Sequence, residues 1–230
     1  MTENNSKKIS CIIPAYNEGE RIGAVLEALI KHPLVSEIIV VDDGSIDETK
    51  EIVTRFDSVR LISHSANKGK AQAVATGLRE AKEELVMFID ADLLGLSPDD
   101  ITALIQPVLT GITDVTISLR INTPGLWRLI GLDYISGERV IKKDLFVDNI
   151  EKLKRLPRFG IEPFINKLII AQNCKIKVVR WDHVKSPYKY AKFGIINGIR
   201  GDIGMIRDLF KVISPIQTVS MIIKMLRLKV

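Results

Sequence analysis

Residues 8–18 read KISCIIPAYNE, and residues 85–92 read LVMFIDAD. Each stretch begins with a continuous apolar run of the length of a buried strand and then changes to polar residues. Residues 37–45, EIIVVDDGS, repeat this arrangement. Short apolar strands that alternate with single helices are typical of a parallel sheet covered on both faces. The sequence therefore predicts an α/β protein with a mostly parallel central sheet flanked by helices.

The same alternation continues along the rest of the chain. Strands are expected at 8–14, 37–41, 59–63, 85–89, 115–119 and 176–179. Apolar residues at helical spacing predict helices within 22–30, 47–56, 68–81, 137–145 and 163–171, with Asp47 as an N-cap. Neither a repeat nor a linker interrupts the pattern. We therefore expect one domain over residues 1–189 and a C-terminal amphipathic helical extension over residues 190–230.

The charge of the chain is unevenly distributed. Its 230 residues hold 33 Lys+Arg and 28 Asp+Glu, a net charge of +5. Residues 1–138 contain 13 basic and 21 acidic residues, net −8, whereas residues 139–230 contain 20 and 7, net +13. At 46% hydrophobic residues the composition is that of a globular protein, which excludes a disordered chain. The basic part predicts an anionic partner.

The spacing of the cysteines and the hydropathy of the chain predict the cell compartment of the protein. Cys11 and Cys174 lie in or beside apolar runs without a paired or zinc-binding spacing, so we expect reduced thiols. The polar stretch 1–8 lacks the apolar core of a signal peptide. The longest uncharged apolar run, 212–223, is shorter than a bilayer span and contains Pro215. These features predict a cytoplasmic protein without a transmembrane helix.

Acidic residues follow the second and fourth predicted strands. Ligands of such sheets bind beyond the carboxyl ends of the strands, so 16–18, 42–45 and 90–92 should converge on one crevice. Asp90 and Asp92 offer hard oxygen ligands for Mg²⁺ or Mn²⁺ bridging a diphosphate, although a solvated loop would have the same composition. Residues 42–45 fit a tight turn, or carboxylates that accept hydrogen bonds from a nucleobase or ribose.

Residues 67–70, NKGK, open a predicted helix with the composition of an anion-binding loop. They lack the Walker spacing, and no G-x-G-x-x-G follows the first strand, so P-loop and nicotinamide-binding proteins are disfavoured.

Taken together and in order, IIPAYNE at 12–18, VVDDGS at 40–45, NKGK at 67–70 and FIDAD at 88–92 resemble the family 2 glycosyltransferases of GT-A fold. The resemblance covers residues 9 to about 190. It implies a Rossmann-like GT-A sheet, a sugar-nucleotide substrate (UDP- or GDP-sugar) and Mg²⁺ or Mn²⁺.

The resemblance also assigns roles to single residues. It implies that the nucleoside is lined by Pro14, Ala15, Tyr16 and Glu18. Asp42 would face the base with Asp43 nearby, and Gly69 and Lys70 would lie over the nucleotide. Asp90, Ala91 and Asp92 would contact the diphosphate, and the two aspartates would hold the metal.

Three further residues are candidates, two of them on the acceptor side and one as a metal ligand. Residues 136–139, SGER, resemble the acceptor-side segment of these enzymes, and residues 159–162, FGIE, resemble the loop before their last core helix. Glu138 or Glu162 would orient a hydroxyl or act with Asp92 as a catalytic carboxylate. A hydroxyl acceptor needs a base, whereas a phosphate acceptor is already ionised. His183 follows the last strand, where related enzymes place a third metal ligand, but a lone histidine is as often structural.

The C-terminal part is basic and amphipathic. Residues 214–230 predict either an interfacial helix on anionic lipid, at the inner face of the cell membrane, or a helix packed on the domain or on a homodimer partner. Further basic residues precede it: Lys185, Lys189, Lys192, Arg200, Arg207 and Lys211. A nucleic-acid partner is disfavoured, because no aromatic platform accompanies these charges.

Three functions remain open at this point. The first is metal-dependent transfer of a hexose to a phosphorylated or polyprenyl-phosphate acceptor at the cytosolic membrane face. The second is a soluble transferase acting on a small acceptor such as phosphoglycerate. The third is a sugar-nucleotide-binding protein without turnover.

Overall fold

The computed structural model describes residues 9–157, 160–187 and 214–230. Its strands are β1 (Ile9–Ala15), β2 (Val35–Asp42), β3 (Val59–Ser63), β4 (Leu85–Phe88), β5 (Val115–Arg120), β6 (Arg139–Lys142) and β7 (Ile176–Trp181). Its helices are α1 (Gly19–Leu29), α2 (Thr49–Val53), α3 (Lys70–Glu80), α4 (Pro98–Leu109), α5 (Gly125–Ile130), α6 (Ile150–Leu153), α7 (Ile161–Ala171) and α8 (Pro215–Arg227), with a 3-10 helix at Lys143–Asn149.

The seven strands form one sheet in the order β3-β2-β1-β4-β6-β5-β7. All neighbouring pairs are parallel except those of β6, which is antiparallel to both β4 and β5. The carboxyl ends of the other six strands therefore lie at one edge. This arrangement confirms the predicted α/β class and mostly parallel sheet.

Alternate residues of a strand point to opposite faces, and each face is covered. Ile12 belongs to the apolar cluster that includes α3, α6, α7 and α8, whereas Cys11 and Ile13 belong to the cluster with α1 and α4. Burial on both faces explains why the strand sequences are continuously apolar.

The helix predicted over 137–145 is wrong. These residues form β6 and the start of the 3-10 helix. Val140 packs in the cluster with α1 and α4, and Ile141 packs in the other one. A strand inserted between β4 and β5 buries both of its faces, and a short apolar run of this kind does not distinguish a strand from a helix.

Three helices, α4, α5 and the four-residue α6, were not anticipated, and one predicted cap is displaced. α4 begins with a capping box formed by Ser97 and Asp100, a signal that 97–100 carries in sequence. α5 lies in a segment without an assigned motif. Asp47 lies one residue before the N-cap of α2, where its carboxylate accepts hydrogen bonds from the backbone of Thr49 and of Gly19.

The C-terminal extension contains the expected helix. α8 packs on α7 with Met221 and Met225 buried. The boundary at residues 189/190, the residue Phe159 and five of the six basic residues between the core and α8 lie outside the described residues; Lys185 is described. Within the described ranges, no helix combines the length and the hydropathy that a bilayer span requires.

Candidate functional site

A cavity of about 470 Å³ opens at the carboxyl edge of the sheet. The residues that line it come from the ends of β1, β2 and β4 and from the start of α3: Pro14, Ala15, Tyr16, Glu18, Asp43, Asn67, Gly69, Lys70, Ala73, Asp90, Ala91 and Asp92. The predicted convergence of the three polar strand ends on one crevice is therefore observed. Ala73 is a lining residue that the sequence did not single out, and Asn67 belongs to the 67–70 motif but had no role assigned to it.

The loop after β1 is fixed to the loop after β2. Asn17 adopts a positive φ of 55° and its side chain accepts a hydrogen bond from the backbone of Ile46. The backbone of Asn17 donates to Ser45 Oγ, and the backbone of Glu18 donates to Thr49 Oγ1. These bonds hold Tyr16 and Glu18 at the cavity wall.

Asp42 and Asp43 have different environments. Asp42 has no exposed surface, accepts from the backbone of Ser45, lies 3.5 Å from Lys50 Nζ and is not among the residues that line the cavity. Its contact with a nucleobase stays a prediction. Asp43 lines the cavity instead. Side chains alternate along β2, which turns Asp42 inward at the strand's last position.

Asp43 holds the wall formed by residues 67–69. Its carboxylate accepts from the backbone of Lys68 at 2.9 Å and of Gly69 at 2.7 Å. His64 Nδ1 lies 2.7 Å from Asp43 Oδ1, and its Nε2 lies 3.0 Å from Thr76 Oγ1. His64, to which the sequence analysis assigned no role, thus supports a residue of the cavity.

Lys70 joins two carboxylates across the cavity floor. Its Nζ lies 2.7 Å from Asp90 Oδ1 and 2.9 Å from Glu162 Oε1. Burial by itself would lower the pKa of Lys70, but the charges of Asp90 and Glu162 outweigh it and raise that pKa. Burial would likewise raise the pKa of Asp90, yet Lys70 and Arg120 hold it below its ordinary value. The ion pair therefore persists at neutral pH.

The residues around Asp90 and Asp92 fit a small divalent cation. Both carboxylates line the cavity, one residue apart at the end of β4. Mg²⁺ and Mn²⁺ are commonly held by one or two carboxylates, with water and substrate phosphates as the remaining ligands. Among the residues described, no group of three His, Cys, Asp or Glu side chains is gathered for a metal. The site thus suits a metal whose coordination a diphosphate completes.

His183 contacts α4 in the structure. Its Nε2 lies 3.0 Å from Asp100 Oδ2, the carboxylate that closes the α4 capping box, and the ring is largely exposed. The described residues do not bring His183 together with Asp90 and Asp92 in one cation-sized cluster. Its role as a third metal ligand stays a prediction.

Glu138 is buried in a polar network between β5 and β6. It accepts from Ser118 and Ser136, and Arg120 Nη1 donates to it at 2.8 Å. Burial raises the pKa of Glu138, with Arg120 opposing this shift and the charge of Asp90 adding to it. Glu138 does not line the large cavity, and Glu162 is engaged by Lys70. These contacts favour positioning roles for both rather than that of a catalytic base.

A second, smaller cavity of about 90 Å³ lies at the ends of β5 and β7. Three arginines line it, Arg120, Arg128 and Arg180, together with Leu119, Ile121 and Asp182. Arg120 Nε is buried without a hydrogen-bond partner within the described part of the chain. The sequence analysis missed this arginine cavity; its signal was an arginine at the end of an apolar strand, 115–120.

The sequence of the chain is similar to that of several known proteins. The model of the family "Glycosyl transferase family 2" matches residues 10–167. An uncharacterized protein of Methanocaldococcus jannaschii is 31% identical over 172 residues, 74% of this chain and 61% of the relative. A UDP-N-acetylglucosamine–dolichyl-phosphate N-acetylglucosaminyltransferase of Methanococcus voltae is 35% identical over 137 residues, 51% of this chain and 54% of that protein. The chain thus spans less than two thirds of these relatives.

Solved structures show the same architecture. Glucosyl-3-phosphoglycerate synthase of Mycobacterium tuberculosis, in complex with phosphoglyceric acid, superposes with a TM-score of 0.70 at 22% identity, over 90% of this chain and 80% of that one. The same enzyme has been crystallised with Mn²⁺, uridine diphosphate and glucosyl-3-phosphoglycerate. At this identity the likeness establishes the fold.

Proposed function

The chain belongs to glycosyl transferase family 2, and on this premise we propose that it transfers a hexose from a UDP- or GDP-sugar to a phosphate-bearing acceptor, with Mg²⁺ or Mn²⁺ as cofactor. The observation that carries the proposal is the single cavity that joins Asp90 and Asp92 to the β1 loop and to the 67–70 loop. This arrangement suits a nucleoside at one end and a diphosphate at the other.

The sugar-nucleotide part of the proposal assigns a task to each wall. Tyr16 and Glu18 border the nucleoside, and Gly69 and Lys70 border the phosphates. Asp90 and Asp92 would hold the divalent ion, which would supply a positive charge that stabilises the leaving nucleoside diphosphate. The fixed contacts of Lys70 and Asp43 orient these groups before the substrate enters.

The acceptor part rests on the arginine cavity. Guanidinium groups bind phosphate through paired hydrogen bonds. Arg120, Arg128 and Arg180 line this cavity together with Asp182, and Arg120 is also paired with Glu138 at 2.8 Å, so Arg128 and Arg180 are the proposed phosphate contacts. Against the effect of burial, the charges of Glu138, Asp90, Asp133 and Asp92 raise the pKa of Arg120, so this cavity would lie near the carboxylates proposed to hold the metal. An ionised phosphate needs no general base, consistent with the engaged states of Glu138 and Glu162.

A lipid-linked phosphate is the acceptor we favour over a free one. Curated relatives include enzymes whose names specify dolichyl phosphate, from Methanococcus voltae and Trichomonas vaginalis. Such an acceptor would place the protein on the cytosolic face of a membrane as a peripheral protein. A small acceptor such as phosphoglycerate remains the alternative, because the arginine cavity suits either phosphate.

Transfer assays test the proposal. Purified protein is given UDP-glucose, UDP-N-acetylglucosamine or GDP-mannose with Mn²⁺, and either a polyprenyl phosphate or 3-phosphoglycerate. We expect transfer to the polyprenyl phosphate, its loss with a chelator, and a decrease of about a hundredfold or more in Asp92→Ala. Asp57→Ala, an exposed aspartate outside the cavity, is the matched control.

The two parts of the proposal fail in different ways. If wild type with Mn²⁺, wild type with a chelator and Asp92→Ala all turn over at the same rate, the metal assignment is excluded. Transfer to 3-phosphoglycerate alone would replace the lipid acceptor by the soluble one.

Arg128→Gln should raise the KM for the phosphate acceptor while leaving the KM for the sugar nucleotide unchanged.

A further inference from the structure

α8 uses only one side to pack on the domain. Met221 and Met225 are buried, and Met221 Sδ accepts a hydrogen bond from Tyr134 Oη at 3.5 Å. Ile223 lies two residues from each methionine, about 200° around a helix of roughly 3.6 residues per turn, and therefore on the opposite side. Ile216 and Val219 lie on this outer side as well. Ile216 is 83% exposed and Ile223 46% exposed.

α5 presents a second set of exposed apolar side chains. Leu126 and Leu129 are 63% and 84% exposed, whereas Trp127 and Ile130 pack against the core. A six-residue helix with two outward leucines is costly in water, and contiguous exposed apolar surface usually marks an interaction site.

The two helices are neighbours. The Trp127 ring stacks on Tyr134 with centroids 6.1 Å apart, and Tyr134 bonds to Met221 of α8. Lys229 Nζ donates to the carbonyl of Gly131, the C-cap of α5, at 3.0 Å. The outer side chains of α5 and α8 thus belong to adjacent elements, and we refer to Leu126, Leu129, Ile216, Val219 and Ile223 as the apolar face.

Only positive charges accompany the apolar face on these helices. Residues 214–230 contain Lys224, Arg227 and Lys229 and no acidic residue, and α5 contains Arg128. A groove of about 290 Å³ between α7 and α8 is lined by Lys167 and Lys224 over mostly apolar walls. Apolar side chains flanked by lysine and arginine match an anionic bilayer, where each basic residue contributes about 1 kcal/mol.

We propose that the apolar face of α5 and α8 docks on an anionic membrane surface. A second copy of the chain is the less suitable occupant, because two such faces would oppose like charges without carboxylates to pair them. Arg128 precedes Leu129 in α5, lies about 100° from it around the helix, and also lines the arginine cavity. Docking through Leu126 and Leu129 would therefore bring that cavity close to the membrane surface, a consequence that rests on the proposed function.

Vesicle sedimentation of the full chain tests the docking surface without catalysis. Wild type is compared on phosphatidylglycerol–phosphatidylcholine vesicles and on pure phosphatidylcholine, together with Leu129→Asp, Ile223→Asp and Val147→Asp. Val147 is 65% exposed on the 3-10 helix and is the matched control. We expect wild type and Val147→Asp to bind the anionic vesicles, and each of the other variants to bind about tenfold or more weakly.

Each result decides the matter. Equal binding of all variants, equal binding to both vesicle types, or no binding of wild type would overturn the proposal. A defect confined to Ile223→Asp would remove α5 from the surface and contradict the composite face. Concentration-dependent dimerisation that Leu129→Asp and Ile223→Asp abolish would favour a second copy.

A transfer assay separates this inference from the proposed function. Leu129→Asp and Ile223→Asp should retain wild-type transfer to a water-soluble, short-chain isoprenyl phosphate in the absence of vesicles. If wild type binds vesicles through the apolar face but transfers no sugar to any acceptor, the proposed function fails while the docking surface stands. Circular dichroism checks that both variants are folded, as expected for exposed positions.

Discussion

Lys70 and Asp90 form an ion pair, and Gly137, which has no side chain, lies against it. A Cβ atom on Gly137 would lie 2.7 Å from Asp90 Oδ1 and 2.8 Å from Lys70 Nζ. Glycine at this position therefore allows the segment before β6 to approach the pair closely. The sequence marked 136–139 as a unit, but only the structure shows that its glycine contacts the cavity floor.

Gly137→Ala should impair transfer by displacing Asp90 and Lys70. We expect kcat/KM to fall by about tenfold to a hundredfold, because small displacements of positioning groups have effects of that size. Gly125→Ala, where a Cβ meets no atom within 4 Å, is the control and should behave as wild type. Unchanged kinetics in Gly137→Ala would show that the floor tolerates the methyl group.

Glu138 should make the stability of the fold depend on pH. Burial raises its pKa above the ordinary value of 4.5, so the folded state binds this proton more tightly than the unfolded state. At pH values above the folded-state pKa, the buried carboxylate of Glu138 lowers the free energy of unfolding. This destabilisation is lost as the pH falls toward 4.5 and the carboxyl group becomes protonated.

Urea unfolding between neutrality and pH 4.5, with a chelator present, measures this effect. Wild type should gain stability as the pH falls, and Glu138→Gln should show a flatter profile. Burial also raises the pKa of Asp133, so this residue should contribute to the profile in the same direction. Identical profiles would mean that Glu138 is not the group that titrates.

At the scale of elements, the loop after β2 and the loop after β3 are clamped together. Gly44 has a φ of +77°, and a Cβ there would lie 2.7 Å from the carbonyl carbon of Ala66 and 2.9 Å from the backbone nitrogen of Asn67. Because Asn67 and Gly69 line the cavity, this contact shapes the sugar-nucleotide wall.

Gly44→Ala should cost more stability than Gly111→Ala. Both positions have a positive φ, so both pay about 1 kcal/mol for the left-handed conformation, but Gly111 has no atom within 4 Å of an added Cβ. The clash should add about 1–3 kcal/mol in Gly44→Ala and weaken nucleotide binding there alone. Urea midpoints and calorimetric titration with the sugar nucleotide measure both effects, and equal values in the two variants would contradict the clamp.

The elements also show which predictions sequence alone can support. Strands β1, β2 and β4 were predicted because burial on both faces leaves a continuous apolar signature. β6 was not, because Arg139–Lys142 is too short to show a period, and its place between β4 and β5 depends on contacts from distant parts of the chain.

At the scale of the whole molecule, the two oppositely charged parts of the sequence meet at one sheet edge. Residues 1–138 supply the carboxylates of the large cavity, and Arg180 from the basic part lines the arginine cavity beside Arg120 and Arg128. The large cavity is lined by residues from several strands and loops, so a sugar nucleotide bound there should raise the free energy of unfolding of the whole fold.

Thermal unfolding with a panel of sugar nucleotides measures this coupling. A ligand at a hundred times its Kd adds about 2.7 kcal/mol by mass action, so the matching UDP- or GDP-sugar should raise Tm by several degrees with Mn²⁺. The shift should largely disappear with a chelator and in Asp92→Ala. A chelator-resistant shift of the same size would mean that the nucleotide binds without the metal.

The sequence by itself determined the α/β class, the family resemblance, and the convergence of residues 16–18, 42–45 and 90–92 on one crevice. These features follow from the order of strands and motifs along the chain, because parallel strands place their carboxyl ends at a common edge of the sheet. Only the tertiary structure decided that Asp43 rather than Asp42 lines the cavity, that Lys70 joins Asp90 to Glu162, and that the segment after α5 bonds to Met221 and Lys229. Such pairings depend on side-chain direction and on packing between segments far apart in the chain, which no local pattern records.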